Sequence, residues 1–220
     1  MVVRTLRVAA VAALLLGCPR SAGAEWTLMF VAGASHTSPA TLTLDLPAAA
    51  TRATFTRVPL ESRSLSSPPY YGYRVSWFPA HRGRAGLEAE LIHLKVYARE
   101  GSMGPFVERF SISHGLNLLL ANAVWHQPVS GRLRLAARAG AGIAIPHGES
   151  RMSGVDQEQY EISSAAFQVA AGPELTFARH TRAFVEYKLT TTAPSVTVAG
   201  GTIRGRYTSQ HVAAGLGVSW

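Results

Sequence analysis

Cysteine is almost missing from this 220-residue chain: Cys18 is the only one. It lies in a segment, Met1 to Ala24, that reads as a secretory leader. Basic Arg4 and Arg7 precede the apolar run Val8 to Gly17, and Ala22-Gly23-Ala24 forms an A-x-A cleavage site. Cleavage there removes Cys18, so residues 25–220 hold no disulfide, thiol nucleophile or zinc-cysteine module. It also removes Arg4, Arg7 and Arg20 and no acid, which takes the formal charge from +8 to +5. The exported chain is only mildly basic, and nucleic-acid binding is excluded for a secreted product. A rival processing route exists, because Leu15-Leu16-Gly17-Cys18 resembles a lipoprotein lipobox. The strand expected at Glu25, directly after the A-x-A site, favours ordinary cleavage.

Charge and long apolar runs are also scarce. Only 15% of residues are Asp, Glu, Lys or Arg, and nothing approaches the roughly eighteen unbroken apolar residues of a membrane helix. The most apolar stretch, Leu116 to Trp125, is interrupted by Asn117 and Asn122. Twenty glycines and twelve prolines disfavour long helices. The choice narrows to a soluble all-β domain or a membrane β-barrel.

What is present is alternation. At the C-terminus Val212, Ala214, Leu216, Val218 and Trp220 alternate with Ala213, Gly215, Gly217 and Ser219, a strand with one apolar and one small face. Its aromatic last residue resembles the assembly signal read by the barrel-assembly machinery of bacterial outer membranes. On a soluble sheet edge that stripe would be an aggregation hazard, whereas a lipid-facing barrel requires it. Arg132, Arg134 and Arg138 alternate with Leu133, Leu135, Ala137 and Ala139. Glu88 and Glu90, Gln168 and Glu174, Glu186 and Lys188, and Arg74 and Ser76 sit in the same pattern. Aromatic residues mark strand ends at Trp26, Trp77, Trp125, Phe177 and Trp220.

Short turns near 79–83, 127–131 and 178–181 alternate with longer loops near 36–69, 98–112, 146–161 and 193–205. The expectation is an all-β, eight-stranded antiparallel transmembrane barrel of outer-membrane type, monomeric and occupying 25–220. Its strands fall near 25–35, 70–78, 84–97, 113–126, 131–145, 162–177, 182–192 and 206–220. Residues 85–97 are the one segment whose leucines also fit a helix. Eight strands leave a lumen just filled by side chains, so an open pore is not expected.

This topology brings His93, Lys95, Tyr97, His114, Asn117, His147, Glu186, Lys188 and His211 to the extracellular end. His81, His126 and His180 fall at the other end, and His36 starts the first loop. Neutral imidazoles beside carboxylates suit general acid–base chemistry or a divalent metal, although the histidine spacing matches no local metal motif. Parity adds a constraint. If Leu87, Ala89 and Leu91 face lipid, strict alternation sends His93, Lys95 and Tyr97 outward too, unless a bulge re-aims them.

Ile92 to Ala98, His114-Gly115-Leu116-Asn117 with Asn122-Ala123, Pro146-His147, Glu186-Tyr187-Lys188 and His211 resemble, in order, the blocks of the lipid A oxidase family. The resemblance runs from Tyr70 to Trp220; residues 25–69 carry none of it. It implies an outer-membrane barrel that oxidises the proximal glucosamine of lipid A to aminogluconate with molecular oxygen. Lipopolysaccharide would be its partner. On that reading His93, His114 and Glu186 are the candidate catalytic residues. Lys95, Tyr97, Asn117, Lys188 and His211 are candidate substrate ligands, joined near the loops by basic Arg99, Arg204 and Arg206. His147 is the candidate metal ligand. No dinucleotide or flavin fingerprint is present, which leaves a bound divalent metal or direct use of oxygen. A hydrolytic deacylase would need an activated serine, and Ser111 and Ser113 flank His114. The alternative function is a non-catalytic small barrel that anchors, adheres or confers resistance.

Overall fold

Period-two alternation becomes backbone pairing in the computed structural model, which describes residues 23–79 and 83–220. The expected leader lies outside the described residues except for Gly23 and Ala24, as do Ala80, His81 and Arg82 of the first turn. In chain order the strands are β1 (Glu25–Thr37), β2 (Ala40–Leu46), β3 (Thr51–Val58), β4 (Leu60–Glu61), β5 (Tyr71–Phe78), β6 (Ala85–Ala98) and β7 (Val107–Ser130). They continue with β8 (Leu133–Met152), β9 (Val155–Tyr160), β10 (Ser164–Ala178), β11 (Thr181–Thr192), β12 (Ser195–Val198), β13 (Gly201–Gly205) and β14 (Tyr207–Ser219). Eight of them, β1, β5, β6, β7, β8, β10, β11 and β14, pair antiparallel in sequence order, and β14 closes on β1 from Thr27↔Ser219 to Thr37↔Ser209. Closure leaves no open edge, the condition for crossing lipid with strands. Residues 85–97 are strand, not helix.

One face of each barrel strand meets lipid. Leu135, Phe167, Val169, Leu216 and Val218 are all about half exposed, and Leu133 partly so. Such a continuous apolar surface has no place on a monomer in water; around a closed barrel it is the bilayer belt. Trp26 and Trp77 are cross-strand partners at its lower edge, with ring centroids 6.5 Å apart, and Trp125 and Phe177 stand exposed on their own strands.

The opposite parity fills the lumen with charge. Arg74 donates to Glu90 at 2.9 Å and to Glu186 at 3.0 Å; Arg138 donates to Glu88 at 3.1 Å and to Glu186 at 3.2 Å. Lys188 pairs with Glu90, Arg134 with Glu174 and Arg182 with Glu25. Asn122 and Gln168 add amide donors to Glu90 at 3.1 and 2.6 Å. Five cations thus face five carboxylates. Charges removed from water stay ionised at tolerable cost only when paired and hydrogen-bonded in this way. Arg132, whose alternation with Leu133 would put it on the lumen face with Arg134 and Arg138, is instead exposed at the lower mouth, because the turn before Leu133 places it below the strand.

The upper segments are not plain loops. β12, β13, β2 and β3 form a four-stranded sheet in that order, while β9 extends β8 and β4 pairs with β6. The sheet turns Leu42, Leu44, Val196 and Ile203 onto Ile92, Leu94, Val96, Ile112, Leu116 and Leu118, and together they make a buried apolar cluster over the charged interior. The lumen is therefore ionic below and dry above.

Candidate site on the outer wall

The rung Leu91↔Leu119↔Ile143 holds the last exposed apolar residues of its strands, Leu119 and Ile143. Two residues higher on the same outer face, about 7 Å along a strand, the rung is Tyr71↔His93↔Asn117↔Ile145. Unbroken parity thus puts His93 outside the wall. Its ring stacks on Tyr71 at 4.7 Å, and Nδ1 lies 2.9 Å from Asn117 Oδ1. That oxygen can only accept, so Nδ1 donates and Nε2 keeps its lone pair. Nε2 is buried and has no partner.

Above this rung β7 breaks register. Between Ile112 and Leu116 it spends two more residues than β6 does between Leu94 and Val96, and between Ser111 and Leu116 two more than β8 between Pro146 and Glu149. Gly115 has φ +124°, and a Cβ there would lie 2.4 Å from the His93 ring. Only glycine gives both that backbone and that space. The bulge turns Ser113 and His114 towards β8. Both donate to Glu149, and the His114 ring meets His147 edge-on at 4.9 Å. His147 stacks on Tyr160 of β9 at 3.9 Å, and its Nε2 lies 3.0 Å from Glu158. Burial alone would push the Glu149 carboxyl up. The Ser113 hydroxyl and the His114 ring more than offset it and hold the group below the usual carboxylate range.

The other expected residues go elsewhere. Lys95 is buried under the segment 62–70, donating to the Ser66 carbonyl at 2.9 Å and to its hydroxyl at 3.1 Å. Burial lowers its affinity for a proton and nearby Arg63 adds to the effect. Its charge pins a loop and is not open to a ligand. Tyr97 lies under the Arg63 guanidinium at 4.3 Å. Glu186 and Lys188 belong to the lumen lattice. His211 is also interior, with Nε2 2.9 Å from Thr190 Oγ1 and its ring 5.6 Å from Tyr70. Even-numbered positions of β11 and odd-numbered ones of β14 face inward, so the wall separates these three from His93. The expected single cluster is two groups. Arg99 faces Glu61 at 3.7 Å, Arg204 donates to Ser195, and Arg206 is exposed.

Tyr71, Glu158 and Tyr160 join the outer group without having been singled out from the sequence. Beside Tyr71 the same rung continues through Ala32, Ala214 and Val185. There a groove of about 580 Å3 is floored by Gly33, Ala213 and Ala214, walled by Phe30 and Val212, and roofed by Ser64 and Leu65. The roof is tied down by Ser64, whose hydroxyl accepts from the Ser35 amide at 3.0 Å, and by the Lys95 contacts.

No protein-family model matches the chain, and no curated protein matches it in sequence. Solved structures do match in fold. Outer membrane protease OmpT from Escherichia coli is 7% identical, covering 91% of this chain and 98% of its own, with a TM-score of 0.51. Neisserial surface protein A is 12% identical over 89% of this chain and 98% of its own, at a TM-score of 0.44. The attachment invasion locus protein Ail of Yersinia pestis is 9% identical over 90% and 99%, at 0.40. Identities this low speak to fold alone. The closed barrel and its lipid belt, in a fold shared with OmpT, make this chain an integral β-barrel of the Gram-negative outer membrane.

Proposed function

We propose that the barrel is an enzyme acting on a glycolipid of the outer leaflet, with lipid A the substrate favoured by the sequence resemblance. One observation carries the reading. The chemistry-bearing side chains His93, Asn117, Ser113, His114, Glu149 and His147 lie on the outside of the wall, just above the belt, where a lipid presents its sugar. A barrel kept only as an anchor has no use for an imidazole whose free nitrogen is buried on that face. The small-residue groove beside Tyr71 has the shape and polarity to seat an acyl chain of the same lipid.

In this reading lipid binding uncovers the buried His93 Nε2, which takes the proton of the sugar hydroxyl, since Asn117 already fixes the tautomer. Oxidation of the ring carbon passes two electrons and two protons to molecular oxygen, giving peroxide and a lactone that water opens to the gluconate. The test is mass spectrometry of lipid A from cells with and without the protein. A mass gain of one oxygen is expected for the wild type and its loss in His93→Ala and His114→Ala, with both variants still heat-modifiable folded barrels. The same lipid product in both variants as in wild type would leave the anchoring barrel as the reading.

A further inference from the structure

We infer that His114, His147, Glu149 and Glu158 form a binding site for one divalent transition-metal ion on the outer wall. Each of the four offers one donor atom, and those atoms all lie within 4.8 Å of one another. They arrive from three elements: His114 from the β7 bulge, His147 and Glu149 from β8, and Glu158 from β9. Two imidazoles with two carboxylates is a donor set for zinc, cobalt, manganese or ferrous iron, whereas magnesium and calcium prefer oxygen alone. The neighbours do the work of an outer ligand shell. Ser113 donates to Glu149, and Tyr160 stacks on His147 to fix the plane of its ring. His147 is itself buried with Nδ1 lacking any partner. A buried nitrogen left without a hydrogen bond is costly, and an ion held by Nδ1 would remove that cost while Nε2 stays against Glu158.

The strand arrangement favours the same conclusion. A two-residue bulge in a barrel strand disrupts its ladder, yet this one brings Ser113 and His114 onto Glu149. The neighbouring site is reached without moving a barrel strand, since His114 and Glu158 are more than half exposed. The ion would sit on the lipid-facing side of the wall, above the rung that holds His93. The inference concerns the same outer wall as the proposed enzyme site but is independent of which lipid, if any, is altered there.

The untagged full barrel, refolded in detergent and stripped with EDTA, is dialysed against zinc chloride and analysed for metal per chain. Cobalt chloride serves as a second probe through its visible spectrum. About one zinc per chain is expected for the wild type and for His180→Gln, a histidine exposed at the opposite mouth. His147→Gln and Glu149→Gln should bind at least about tenfold more weakly. If either fails to show heat-modifiable mobility, Glu158→Gln, an exposed position, decides with the same expected loss. No retained zinc in the wild type, or equal retention in the folded variants, overturns the site. Stoichiometric zinc with unchanged lipid A upholds the site and rejects only the enzyme reading; altered lipid A in a chain that retains no zinc does the reverse.

Discussion

Gly115 shows how a single residue couples backbone and chemistry. Its φ is open to glycine alone, and its missing side chain leaves room for the His93 ring against Asn117. Gly115→Ala should therefore cost about 1–3 kcal/mol of barrel stability, and it should also detach His93 from Asn117. Denaturant titration in detergent followed by Trp fluorescence checks the first, and the lipid A mass shift the second. Stability and product both equal to wild type would show that the bulge tolerates a Cβ. The sequence does not announce this position. One residue in eleven is glycine, and only cross-strand pairing shows which of them stands under a histidine.

At the scale of elements, strand parity was legible and loop structure was not. Alternation of Arg134, Arg138, Glu174 and Glu186 with apolar neighbours identifies strands and their two faces, because a period of two needs only local sequence. It also predicted that His93 would follow Leu91 outward, and it does. The same parity, carried through β11 and β14, already separated Glu186, Lys188 and His211 from that face; grouping all of them by height alone missed this. The upper sheet was hidden for another reason. β2 pairs with β13 across some 160 residues, and such partners leave no periodic trace in either segment. Glu158 is a different case, since the local β8–β9 hairpin that brings it to His147 falls in the segment 146–161 expected to be loop. This sheet is held by apolar contact, so Ile203→Ala, at a position fully buried, should loosen it by about 2–4 kcal/mol. Limited trypsin digestion of the folded protein checks this. Wild type should resist cleavage at Arg52, Arg57 and Arg204, the variant should be cut there, and the eight barrel strands should survive in both. Equal resistance would mean that the sheet does not depend on its packing over the lumen.

For the whole molecule the question is what the interior permits. Eight strands enclose a space that side chains can fill, and here Arg74, Arg138, Lys188, Glu88, Glu90 and Glu186 are all nearly or fully buried within it. Above them the apolar cluster under the upper sheet excludes water a second time. The lower mouth does open, into a cavity of about 600 Å3 lined by Arg84, Arg132, Arg134, Arg179 and Arg182 with Glu25. It ends at the ion-paired layer, where Arg138 bridges Glu88 and Glu186. Ions entering this vestibule meet a layer in which each fixed charge is already paired with another. Purified wild-type protein in a planar bilayer should accordingly give no stepwise conductance under voltages at which open barrels conduct. Removing one bridge changes the balance. Arg138→Ala deletes a cation that donates to Glu88 and leaves that carboxylate short of a partner, which demands water in a space newly emptied. Small, cation-favouring openings are expected in this variant, if it folds at all, since loss of one member of a buried network costs about 3–5 kcal/mol. Steady conductance from the wild type would contradict the filled interior outright, and would move attention from the outer wall to the lumen as the functional surface.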